Sequence, residues 1–77
     1  MRPKYVVGDL QVSGLTTAIL IPAFMNHSDI RGLFSEIHSA GFYYIADDKV
    51  SVYGNSVSLN VSSKPEDAKY ITQTLNL

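Results

Sequence analysis

Chemistry in a protein chain needs acids, bases, nucleophiles or metal ligands at workable spacings, and this sequence offers few of them. Its two histidines, His27 and His38, stand 11 positions apart. On one continuous helix that spacing is about 16 Å at about 1.5 Å per residue, too far for a shared metal ion. Arg31, Ser35 and His38 fall on one polar side of such a helix, where Ser35 and His38 at i, i+3 have two parts of a nucleophilic pair. No carboxylate is placed to orient the imidazole, and a solvated helix face accounts for all three residues. Asp47 and Asp48 are adjacent carboxylates, but a hairpin tip supplies too few oxygens for calcium and no cleft for acid–base work. The expectation is a protein without catalytic, cofactor-binding or metal-ligating residues, and not an enzyme.

Composition removes further classes. The chain has no cysteine, which excludes disulfide frameworks, thiolate catalysis, iron–sulfur clusters and Cys-type zinc sites, and fits a reducing cytoplasm. Six Lys and Arg against seven Asp and Glu give a formal net charge of -1. The broad positive field that nucleic-acid and anionic-membrane binders use is missing. Gly8, Gly14, Gly32, Gly41 and Gly54 assemble into neither GxGxxG nor a phosphate loop. Asn26-His27-Ser28 and Asn60-Val61-Ser62 match the glycosylation pattern, yet Asp9 and Gln11 interrupt any secretory apolar core near the N-terminus. The most apolar stretch, residues 15–25, is half the roughly 20 residues of a membrane-spanning helix.

The elements that must position any site follow from periodicity. Residues 1–77 are too few for two cores, so one compact domain is expected. Val6, Gly8, Leu10 and Val12 alternate with Val7, Asp9 and Gln11, and Ser13-Gly14 is a turn signal. The run Leu15–Ile21 then reads as a second and central strand, closed by Pro22. Asn26 or Ser28 as cap, with Ile30, Leu33, Phe34 and Ile37 at i, i+3, i+4 and i+7, predicts a helix ending at Ala40-Gly41. Phe42–Ala46, Lys49–Tyr53 and Ser56–Ser62 read as three short strands joined at Asp47-Asp48 and Gly54-Asn55. Ser63-Lys64-Pro65-Glu66 matches a capping box before a helix carrying Ala68, Ile71 and Leu75. The fold class expected is α+β: a small, mostly antiparallel sheet in the order ββαβββα, with two helices on one face.

Two short helices leave the other sheet face bare, and alternation says what lies on it. Placing Val50, Val52, Val57, Leu59 and Val61 inward sends Ser51, Tyr53, Ser56, Ser58, Asn60 and Ser62 outward. In the Phe42 strand either Phe42 and Tyr44 or Tyr43 and Ile45 face out. The set assigned to partner binding is Tyr43, Tyr53, Ser51, Ser56, Ser58 and Asn60, since tyrosine gives rigid amphipathic contact and serine and asparagine adaptable hydrogen bonds. The function expected is a small interaction module that binds or inhibits another protein through this face. Accessory proteins of phages and mobile elements are often of this size and kind. A homodimer is also expected, through the open face or an N-terminal strand edge. One alternative is RNA or single-strand binding by stacking on the tyrosines, disfavoured because Lys49, Lys64 and Lys69 are scattered, and the other, less favoured still, is a small hydrolytic enzyme. No membrane partner is expected.

Overall fold

The computed structural model describes residues 2–77. Strand β1, Lys4–Leu10, pairs antiparallel with β2, Thr16–Ile21. A 3-10 helix over His27–Leu33 leads directly into β3, Phe34–Ala46, a strand of 13 residues. β3 pairs antiparallel with β1 and with β4, Lys49–Tyr53, giving a four-stranded sheet in the order β2-β1-β3-β4. A two-stranded ribbon of β5, Asn55–Ser56, and β6, Val61–Ser62, precedes helix α1, Asp67–Leu75. The class is therefore α+β with an antiparallel sheet. Its accessible surface of 4697 Å² matches the roughly 4,700 Å² that a compact chain of this mass should expose.

The predicted helix over residues 28–40 is corrected: residues 28–33 form two 3-10 turns and residues 34–40 are strand. The register explains both the fold and the misleading pattern. Between Val7 and Gly8, and again between Asp9 and Leu10, β3 carries one residue more than β1. His38 and Ser35 are those extra residues. The two bulges stretch the spacing of the residues on one face, so that Phe34, Ile37 and Ala40 recur every third position before Phe42 and Tyr44 resume a spacing of two. A bulged strand thereby imitates helical periodicity. Gly8 makes the bulge possible, because a Cβ there would stand 2.5 Å from the Glu36 carbonyl oxygen and 2.7 Å from the Phe34 ring.

Both sheet faces are covered, in contrast to the expected pair of helices on one face. On the first, Tyr5, Val7 and Ala18 pack with Ile71 of α1, joined by Leu20, Tyr43, Val50, Val52 and Leu75. On the second, Val6, Phe34 and Ala40 are covered by Ile30 of the 3-10 helix and by Leu59 and Val61 from the ribbon. β1 is central, with Val6 and Val7 buried, and β2 is an edge, which reverses the expectation that the second strand is the interior one. The single strand expected over residues 56–62 is instead folded back on itself. Asn60 adopts φ 58, its amide donates to the Val57 carbonyl, and Val57 is thrown outward at 88% exposure. Asparagine tolerates that left-handed conformation, so the turn costs little there.

Helix α1 keeps the Ala68, Ile71, Leu75 stripe but not the predicted capping box. Glu66 caps without a side-chain bond, and Asp67 accepts the Lys64 amide at 2.8 Å instead. Among the described residues no helix is long and apolar enough to cross a membrane.

Candidate interaction face

The ribbon and the 3-10 helix cover only part of the second face. Beyond Val6 and Ala40, the cross-strand rows Lys4–Phe42–Tyr53, Tyr44–Ser51 and Ala46–Lys49 continue toward the β3–β4 hairpin. Because β4 turns Val50 and Val52 toward α1, Lys49, Ser51 and Tyr53 point the other way. Phe42 and Tyr53 stack with ring centroids 5.7 Å apart and planes inclined by 30°, and Tyr44 stands 6.1 Å from Tyr53. Tyr44 is 54% exposed. The Arg2 guanidinium lies over the Phe42 ring at 4.0 Å from its centroid and 5.9 Å from that of Tyr53. The result is a three-ring ladder with a cation at one end.

Its support is built from the backbone outward. His27 is buried, donates Nε2–H to the Gly41 carbonyl at 2.8 Å and sets its ring edge-on to Phe42 at 5.5 Å. Gly54 adopts φ 78, and a Cβ there would press on the Phe42 ring at 2.8 Å, so glycine lets the chain leave β4 beneath the ladder. Lys4 anchors on the Ala23 carbonyl, which leaves its ammonium 5.8 Å from the Phe42 centroid. Beside the ladder opens a hollow of about 480 Å³ walled by Arg2, His27, Phe42, Asn55, Val57 and Ser58. Arg31 donates to the Ser58 carbonyl at its rim. Arg2, Lys4, Arg31 and Lys49 on this side are four of the six Lys and Arg residues.

The predicted set divides accordingly. Tyr53 and Ser51 belong to the ladder surface, and Ser58 borders the hollow. Tyr43 does not join them: it lies on the opposite face and packs against the α1 core. Ser56 is buried and its hydroxyl accepts the Leu59 amide, so it is a ribbon residue and not a contact residue. Asn60 forms the ribbon turn. The ladder also includes Phe42 and Tyr44, one of the two outward pairs that alternation left open for this strand, and Arg2, which lay outside the expected set. Turning Val52 inward takes its cross-strand partner Tyr43 with it and so sends Phe42 and Tyr44 to the side of Tyr53.

The opposite face carries the carboxylates. Asp9 accepts the Thr16 hydroxyl at 2.6 Å and lies 3.0 Å from His38 Nε2. The Thr16 hydroxyl first, and His38 second, hold the Asp9 carboxyl below its usual range. Glu36 stands across from Asp9 on β3. The ligand atoms of Asp9, Glu36 and His38 all lie within 4.8 Å of one another. Deeper in, Asp67 is 1% exposed and accepts bonds from Tyr5, from Ser39 at 2.7 Å and from the Lys64 amide. No buried polar side-chain atom among the described residues lacks a partner.

The chain matches no protein-family model, no curated protein and no solved structure at a significant level.

Proposed function

We propose that the protein is a small non-enzymatic interaction module that binds another protein through the ladder of Phe42, Tyr44 and Tyr53, with Arg2, Ser51 and the adjoining hollow completing the contact. The observation that supports this reading is the uncovered ladder itself. Toward the β3–β4 hairpin the ribbon and the 3-10 helix no longer cover the second face, and the ladder lies there half-buried at Phe42 and Tyr53 and exposed at Tyr44. Tyrosine and arginine are the residue types that dominate binding energy at protein interfaces, and these rings are already held in place, which lowers the ordering cost of binding. A chain without cysteine folds without an oxidising compartment, and we place this role in the cytoplasm. The edge of β2, where α1 donates the Thr74 hydroxyl to the Ala18 carbonyl and leaves the remainder open, offers a second surface through which two copies of the chain would pair.

The experiment is affinity capture from native-host lysate with the wild-type protein and a Tyr44→Ala/Tyr53→Ala variant in parallel. Each is split into nuclease-treated and untreated halves and washed at low and high salt. A stoichiometric protein retained by the wild type in both halves and lost by the variant is the expected result. Equal retention by the variant would mean that the ladder does not bind the partner.

A second reading has its own support in the four cations gathered on this side. Stacked aromatics beside Arg and Lys are how single strands are held, with bases on the rings and phosphates on the cations. Under that reading the captured material is nucleic acid, removed by nuclease and by salt, because few phosphate contacts weaken steeply as salt rises.

A further inference from the structure

We propose that Asp9, Glu36 and His38 form a binding site for a first-row divalent cation, with zinc the best fit. Asp9 lies on β1 and faces Glu36 directly across the strand pair. Like charges directly opposite one another on neighbouring strands destabilise a sheet. Among the described residues the His38 Nε2 contact with Asp9 Oδ1 is the one salt-bridge geometry, and neither Lys nor Arg joins the two carboxylates. The bulge that inserts His38 aims an imidazole at this pair, the kind of re-aiming for which bulges are retained. A dication would neutralise both carboxylates at once.

Distances and donor types agree. In a site with metal–ligand bonds of about 2.0–2.2 Å, neighbouring donors stand about 3.0–3.5 Å apart. Asp9 Oδ1 and His38 Nε2 are already 3.0 Å apart. Glu36 is exposed, and rotation of its side chain brings its carboxylate the remaining distance from within 4.8 Å. To take the ion on Nε2 the imidazole gives up its hydrogen bond to Asp9 Oδ1, and the Nε2 proton passes to solvent. The ion replaces that proton between the two atoms, with the ring as the neutral Nδ1–H tautomer. One nitrogen and two carboxylate oxygens without sulfur suit zinc and its neighbours far better than magnesium or calcium, which prefer oxygen alone. Three protein ligands leave a coordination position open. His38 and Thr16 also line a cavity of about 240 Å³ together with Lys64 and Glu66, so water or a small anion can reach that position.

The test is calorimetric titration of the untagged full chain with zinc chloride and with magnesium chloride, alongside the histidine ring resonances. The expected result is one equivalent of zinc, bound about 100-fold more tightly than magnesium. The His38 ring should respond while the His27 ring stays unchanged. Glu36→Gln and His38→Ala, both away from the core, should each weaken zinc binding about 10-fold or more. Absence of binding up to millimolar zinc, binding that survives both substitutions, or a response centred on His27 would each overturn the proposal.

Discussion

The most constrained single residue is Asp67, a buried carboxylate whose oxygens take donors from three separate parts of the chain. Asp67→Ala would strand the Tyr5 hydroxyl and the Ser39 hydroxyl in the interior. At about 1–3 kcal/mol for each stranded group, denaturant unfolding should show a loss of several kcal/mol. Tyr5 gives this network a pH dependence. Burial first, and the bond to Asp67 second, hold its proton well above the ordinary value of 10.0. The folded chain therefore keeps a proton that the unfolded chain gives up, so stability is intact below about pH 10 and falls as pH rises beyond it. Unfolding curves between pH 8 and pH 11 should steepen in that sense for the wild type, while Tyr5→Phe flattens the alkaline slope. An unchanged slope in the variant would assign the loss to other groups.

Among the elements, β3 decides both faces, and its two bulges depend on Gly8. Gly8→Ala would push a methyl group against the Glu36 carbonyl and the Phe34 ring. Overpacking of this kind costs about 1–3 kcal/mol, measurable as a lower thermal midpoint. The β3–β4 hairpin offers the opposite sign. Asp47 and Asp48 hold φ of 52 and 62, and replacing the pair by Asn-Gly should stabilise the domain by about 1 kcal/mol. Both hairpins of the sheet and α1 were legible in the sequence, because alternation, turn residues and the Ala68, Ile71, Leu75 stripe are local signals. The strand character of residues 34–40 was not. Its bulges convert a period of two into a period of three, and only pairing with β1, more than 20 residues earlier, distinguishes that from a helix. The same long-range register hid the candidate sites: Asp9 meets His38 across 29 positions, and Tyr43 exchanges places with Tyr44 through the phase of one strand.

On the scale of the whole molecule, the sheet separates two chemistries. Rings and cations collect on one face near the β3–β4 hairpin, while Asp9, Glu36, His38 and the Asp67 network occupy the other. A partner that reads the first face should therefore leave the second undisturbed. The Tyr44→Ala/Tyr53→Ala variant should stay folded, since neither ring belongs to the two buried clusters, and lose its partner. Phe34→Ala, by contrast, empties the second cluster and should cost about 3–5 kcal/mol. The measurement that bears most directly on this division is a backbone amide shift map of the labelled protein, recorded as its captured partner is added. Shifts should concentrate at Arg2, Lys4, Phe42, Tyr44 and residues 49–53, with α1 unmoved. Shifts centred on α1 and the Asp9 end of the sheet, with the ladder silent, would contradict that division.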